Sequence, residues 1–327
     1  MGRRTVRLSI PHEPPAGDDP AGDPSLSTHE RHVVEVLLSQ LFNGLSGGSI
    51  LLLAALGLAL TFGQMGVINM AHGEFIMAGA YTAFVVQGVL GDAGLSLLVS
   101  LPAAFVVGGL LGLALEALLL RRMYHRPLDT LLVTFGVSLV LQQLARDLFG
   151  TAGVDVAAPG WLSGPVEVLG FAFPRTRLFI LVIAVAAVVV LSALLAFTPL
   201  GRRIRATVQN RALAESSGIS TRRTDRVTFF VGSGLAGVAG VALTLMGSIS
   251  SNLGTAYIVD AFLVVVVGGI GQIKGAVIAA FVLGVVQSWV EYSTTASIAK
   301  VVVLALIVAF LQVRPQGIFV VRTRSLA

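Results

Sequence analysis

The sequence contains no cysteine. That excludes disulfides, thiolate metal sites and a cysteine nucleophile, and it leaves the compartment open. Lysine is nearly absent too: Lys274 and Lys300 are the only two among 22 basic residues. Charge of either sign makes up 12% of the 327 residues, against roughly 25% in an ordinary soluble domain. The five histidines (His12, His29, His32, His72, His125) are too scattered for a metal cluster, and no metal or other cofactor is expected. What is present is apolar surface: 55% of residues are hydrophobic and the mean hydropathy is +0.88. A core cannot absorb that much, so lipid is the expected solvent for most of the chain. The 37 glycines suit helices that approach closely in a bilayer. The net charge of +5 is carried by arginines clustered in short loops, which the positive-inside rule explains without nucleic acid.

The first 35 residues hold Pro11, Pro14, Pro15, Pro20 and Pro24 among Gly, Asp and Ser. Such a segment cannot bury enough apolar surface to offset its ordering entropy, so residues 1–38 are expected to be a disordered polar tail. Its basic residues have no apolar stretch behind them, so it does not read as a cleavable signal. Apolar runs follow at 44–63, 74–90, 95–120, 129–149, 178–198, 227–249, 257–270, 275–290 and 298–313. A span needs about 17–25 apolar residues. The expected fold is an all-α integral membrane protein, a polytopic bundle of 8–9 transmembrane helices with broken or re-entrant segments. Residues 39–320 form the membrane domain and 321–327 a short tail. Arg121, Arg122 and Arg126, the arginines between 202 and 226, and Arg314, Arg322 and Arg324 mark the cytoplasmic side. Nine full spans then put the N-terminus outside; eight put it inside.

The join from Gly63 to Tyr81 is the least ordinary in the chain. Gln64, Asn69, His72 and Glu74 are interleaved there with apolar residues and with Gly63, Gly66 and Gly73. That mixture suits backbone that leaves helical geometry while still packed in protein, which is where broken backbone is tolerated at membrane depth. A second glycine-rich interruption, Gly268 to Gly275, lies in the other half of the chain. Paired interruptions point to a transport site between structural repeats. Gly232, Ala236 and Gly240, Gly108 and Gly112, and Ala276, Ala280 and Gly284 recur every fourth residue, as helix contacts require.

Two nucleotide motifs fail on context. Gly232 to Gly237 matches G-x-G-x-x-G but sits inside an apolar helix with no strand before it. Gly268 to Gly275 lacks the G-K-[ST] ending of a phosphate loop. No nucleophile is spaced with a base, so an enzyme is not expected. Residues 199–226 read as a basic amphipathic helix with Ile204, Val208 and Ala212 as its apolar stripe and Gly218 as its C-cap. It suits either a lipid surface or a cytoplasmic partner.

Residues 59–75, Ala-Leu-Thr-Phe-Gly-Gln-Met-Gly-Val-Ile-Asn-Met-Ala-His-Gly-Glu-Phe, resemble the signature of the permeases of branched-chain amino acid ABC importers. Four further stretches look more like the urea transporter permeases within that family: 126–146, 209–214, 252–260 and 314–319. The resemblance covers about residues 44–320. It implies a plasma-membrane transport subunit with a cytoplasmic C-terminus. The partners it implies are a second homologous permease, two cytoplasmic ATPases and an extracytoplasmic solute-binding protein. Arg211, Ala214, Glu215 and Gly218 fall on the loop that such permeases present to their ATPases. Glu215-Ser216 departs from the family's usual Glu-Ala-Ala.

Urea is neutral and planar, so its path needs amides, hydroxyls and carbonyls. Gln64, Asn69, Asn252, Thr255 and Tyr257 are of that kind. His72 and Glu74 are expected on the path as a hydrogen-bonded pair pinning the broken segment. Glu116 and Asp147 are expected to pair with, or snorkel beside, Arg121 and Arg146. The reading is an ABC importer permease for urea, with a branched-chain amino acid permease and a passive urea channel as alternatives. A secondary transporter would need buried acidic coupling sites, and a mere anchor would leave the 63–81 join unexplained.

Overall fold

The computed structural model describes residues 28–319, apart from 125 and 169–170. Among these residues the fold is a helical bundle with one small hairpin. Its helices are α1 (Thr28–Met65), α2 (His72–Leu90), α3 (Ala93–Leu118), α4 (Pro127–Phe149), α5 (Arg175–Phe197), α6 (Pro199–Gln209), α7 (Arg211–Ser216), α8 (Thr221–Thr244), α9 (Leu253–Gly268), α10 (Ile273–Ser293) and α11 (Ala296–Val313). The hairpin pairs β1 (Pro165–Val168) with β2 (Phe171–Pro174) in the loop before α5. Eight helices are long and apolar enough to cross a membrane, and α9 is a shorter apolar helix of 16 residues. Residues 28–38, given to the tail on composition, are the first turns of α1. The remaining tail, 1–27, and the C-terminal 321–327 lie outside the described residues.

The centre is α1, whose apolar window is 83% buried, with α8 next at 78%. Their sequences are apolar nearly all round, as a helix enclosed by other helices requires. Glycine sets the spacing. A Cβ on Gly57 would meet the Gly232 carbonyl at 2.0 Å, and one on Gly284 would meet Gly44 O at 2.4 Å. α1 and α10 run antiparallel, since Gly44 meets Val285, Gly48 meets Phe281 and Gly63 meets Gly271. α8 also opposes α1, with Gly232 against Gly57 and Asp225 against Gln64. The small-residue repeats therefore are the helix contacts. Gly108 and Gly112 meet Ser233 in α8, and Gly240 meets Ile76 in α2. α4, α5 and α11 are the least enclosed, at 28%, 22% and 17% of their apolar windows.

The chain leaves helical geometry at Gly66, whose φ of +65° an L side chain rarely adopts. Residues 66–71 then fold back into the bundle. α2 starts beside the middle of α1, because His72 Nε2 reaches the Ala54 carbonyl at 3.2 Å. At about 1.5 Å of rise per residue, that contact lies roughly 16 Å back from Met65. The second interruption, 269–272, turns α9 into α10 through Gly269 and Gly271, both at positive φ. The two interruptions meet where Gly63 touches Gly271.

The amphipathic loop differs from its expected form. It is two helices, α6 and α7, split at Asn210, whose extended backbone ends α6 and whose Oδ1 accepts from Leu213 N at 2.9 Å. Asn favours such caps because its side chain replaces a backbone partner. The split turns the expected stripe: Ile204 is buried, Ala212 is exposed, and Gly201, Thr207 and Ala214 face inward. Gly218 does end α7, at φ +80°, with Ile219 N donating to Ala214 O at 3.0 Å.

Candidate transport and coupling sites

The residues singled out in the sequence fall into separate clusters. At the break, Asn69 is buried, and its Oδ1 accepts from Ala71 N at 3.0 Å. Its Nδ2 has no protein partner among the described residues. Asn69 borders an apolar cavity of about 200 Å³ with Leu58, Ile68, Leu131, Ile258 and Phe262. His72 and Glu74 are not a pair. They are two residues apart, about half a helical turn, so their side chains leave opposite faces of α2. His72 donates through Nε2 to the Ala54 carbonyl, which can only accept, and this leaves Nδ1 without a partner. Glu74 is buried, and its Oε1 accepts from Ser138 Oγ and Gln142 Nε2, both at 2.8 Å. Gln142 also donates to Thr255 Oγ1 at 3.0 Å, so α2, α4 and α9 share one polar knot. The knot satisfies one oxygen of a buried carboxylate; Oε2 has no protein partner among the described residues.

Asn252 and Tyr257 lie elsewhere. Asn252 precedes α9, and its Oδ1 accepts from Arg146 Nη2 at 2.9 Å, while Arg146 Nε donates to Ser251 Oγ at 3.1 Å. Arg146 is therefore engaged by the turn that leads into α9, and Asp147 accepts instead from Gln143 at 2.9 Å. Tyr257 lines a second, larger cavity on a different face of α9.

Gln64 belongs to neither group. At the end of α1 its Nε2 donates to Asp225 Oδ1 at 2.9 Å. Asp225 is fully buried and accepts from Arg211 Nη2 at 2.5 Å. Arg211 is also 3.8 Å from Glu215 and lies over the Tyr124 ring at 5.4 Å. Tyr124 in turn donates to Glu116 Oε1 at 2.7 Å. Burial pushes the Tyr124 hydroxyl above its ordinary value, and the Glu116 hydrogen bond adds to this. Glu116 pairs with Arg226 at 3.5 Å, not with Arg121. Gln64, expected on the path, is thus hydrogen-bonded into the loop assigned to coupling. Asp225 carries that link and was missed. Its signal was legible: an acid set between Arg223 and Arg226 at the mouth of an apolar helix.

Ala214 is buried, so a partner would meet Leu213, Glu215 and Ser216 on the outer side of α7. Leu213 is 64% exposed and was also overlooked. Gly218→Pro cannot adopt φ +80°, because the pyrrolidine ring holds φ near about −65°. The expected result is loss of the α7–α8 turn and of ATPase co-purification; unchanged co-purification would remove the turn from the docking surface.

A bundle of membrane-length apolar helices, with a partly buried backbone break and a basic helical loop at one end, has the form of a polytopic membrane transport protein. The sequence model of the family described as "Branched-chain amino acid transport system / permease component" matches residues 40–311, and the chain belongs to that family. Its relatives include the high-affinity branched-chain amino acid transport system permease protein LivH of Salmonella typhimurium and of Escherichia coli. Each is 31% identical over 293 residues, covering 86% of this chain and 94% of the relative. BraD of Pseudomonas aeruginosa, named as a permease of the same kind of system, is 30% identical over 86% of this chain and 95% of its own length. The ribose import permease RbsC of Escherichia coli is 25% identical over 83% of this chain and 84% of its own. No solved structure matches the chain. None of these names carries urea. The urea reading is unsupported, and the branched-chain amino acid alternative fits better.

Proposed function

We propose that this chain is a transmembrane permease subunit of an ABC importer for branched-chain amino acids. The observation that carries the reading is the likeness to LivH along 94% of that protein's length. The fold agrees with it: the partly buried 66–71 break and the α6–α7 loop are the two devices such a subunit needs. Residues 39–320 form the permease domain, and 199–226 dock a cytoplasmic ATPase. A second permease, a second ATPase and an extracytoplasmic binding protein complete the assembly. The basic loops face the cytoplasm. With α9 counted as a crossing, the N-terminus is then outside and the C-terminus inside.

The test is ATP-dependent uptake by the assembled importer in vesicles, with labelled leucine and labelled urea in competition. Leucine uptake that excess urea leaves unchanged is expected. Urea uptake, or leucine flux without ATP, would overturn the reading.

Asn69 is the residue we assign to the path at the break. Asn69→Leu removes a buried acceptor and leaves Ala71 N unpaired, a cost of about 1–3 kcal/mol. Uptake is expected to be lost while the ATPase still co-purifies. Normal uptake would take Asn69 off the path.

A further inference from the structure

A further cavity lies away from both the break and the coupling loop. Its volume is about 610 Å³, and it is open on one side and lined by α1, α5, α9, α10 and α11, with Met246 from the turn after α8. Small-molecule sites fall in the range of about 300–1,000 Å³. Its position along the bundle follows from the antiparallel packing. It is lined by the first half of α1 and the second half of α10, the ends opposite the coupling loop.

Its lining is charged in both signs. Arg177 and Lys300 supply two positive groups, and Asp260 and Glu291 two negative ones. Asp260 stands within α9, an otherwise apolar helix. Ionisable residues within apolar membrane helices are costly and line cavities or pathways. Its ion pair with Lys300 is long, at 3.8 Å, and half open to solvent on the lysine side. A pair so loose contributes little by itself. Arg177 donates one N–H to Asn43 Oδ1. A guanidinium has five donors, and the others suit a carboxylate. Ser46 adds an independent sign of a ligand. It is 2% exposed, it lines the cavity, and its Oγ has no protein partner among the described residues.

We propose that this cavity is a docking site for a zwitterionic α-amino acid on the outer side of the permease. Asp260 receives the ammonium, and Arg177 with Lys300 receives the carboxylate. Ser46 and Tyr257 contribute hydroxyls. The site explains why two acids and two bases are kept together in an apolar bundle: a neutral amide such as urea would need none of them. The inference rests on the amino-acid reading above and extends it to a site inside the permease itself.

The absence of cysteine in the chain provides the probe. Gln287 lines the cavity and is half-buried. Gln287→Cys would therefore be this chain's sole thiol, and its reaction with a small thiol reagent is followed in the assembled importer. Leucine at saturating concentration is expected to slow labelling by about tenfold, as charge-assisted contacts would. Urea at the same concentration should leave the rate unchanged. In an Asp260→Asn background, protection by leucine should vanish, while 4-methylpentanoate, which keeps the carboxylate alone, should still protect. Lys300→Gln, on an exposed side chain, is the second variant and should weaken protection by both ligands. The reference is ATP-dependent leucine uptake by the unmodified importer. If that uptake occurs but leucine gives no protection, or urea protects equally, the cavity is not the site and the amino-acid reading stands. If there is no leucine uptake, the reading itself fails and the site with it.

Discussion

Asp225→Asn is expected to lower ATP-driven uptake by about tenfold or more, with ATP hydrolysis by the assembled importer retained. The carboxylate is fully buried and holds Gln64 at 2.9 Å on one side and Arg211 at 2.5 Å on the other. It is thus the only described side chain bonded both to the last turn of α1 and to the first residue of α7. Hydrogen bonds to charged groups contribute about 1.5–3 kcal/mol. Arg211 is 38% exposed, which puts its share at the lower end of that range. The amide is isosteric and can still accept from Gln64, so α1 and α8 stay packed. What it loses is the charge that holds Arg211. If the α6–α7 loop couples to α1 through Asp225 as proposed, it should then move without moving α1. Uptake per ATP hydrolysed measures this, and an unchanged ratio would show that the two parts are linked by some other route.

Gly57→Ala is expected to remove most of the folded protein. A Cβ there would lie 2.0 Å from the Gly232 carbonyl, and that atom belongs to helix backbone, not to a side chain that can rotate away. The opposite surface is no softer, since a Cβ on Gly232 would meet the Gly57 carbonyl oxygen at 2.7 Å. Overpacking a core costs about 1–3 kcal/mol where side chains can adjust, and more where they cannot. Here α1 and α8, the two most enclosed helices, would have to separate. The measurement is the yield and melting temperature of the purified permease. Gly136→Ala is the control: it lies in α4 with nothing within 4 Å of the added methyl, and it should melt at or above the parent. Equal melting of the two variants would mean that the α1–α8 contact is not tight.

Much of this protein is legible in its sequence. Composition and run length are enough to establish a membrane bundle, because lipid accepts only helices or closed barrels and these runs have helical length. The small-residue repeats marked the contact faces, since glycine at every fourth position serves little else in a bilayer. The irregular join at 63–81 was visible because polar side chains and glycines interrupt a run that lipid would otherwise keep apolar. Gly218 was recognisable as a helix stop because glycine alone adopts the positive φ of a helix C-cap at little cost.

Tertiary structure decided the partners. Gln64 faces Asp225, 161 residues away, and Glu74 faces Gln142, 68 residues away. No spacing rule reaches that far. His72 and Glu74 are neighbours in sequence yet bond to different helices, because successive side chains on a helix point in different directions. Arg177, Asp260 and Lys300 look unrelated along the chain and gather around one cavity only when α5, α9 and α11 pack. The sequence alone determined that these polar groups must be satisfied inside a bilayer. Which group satisfies which follows from the long-range packing of the helices, and that packing is set by backbone contacts at glycine.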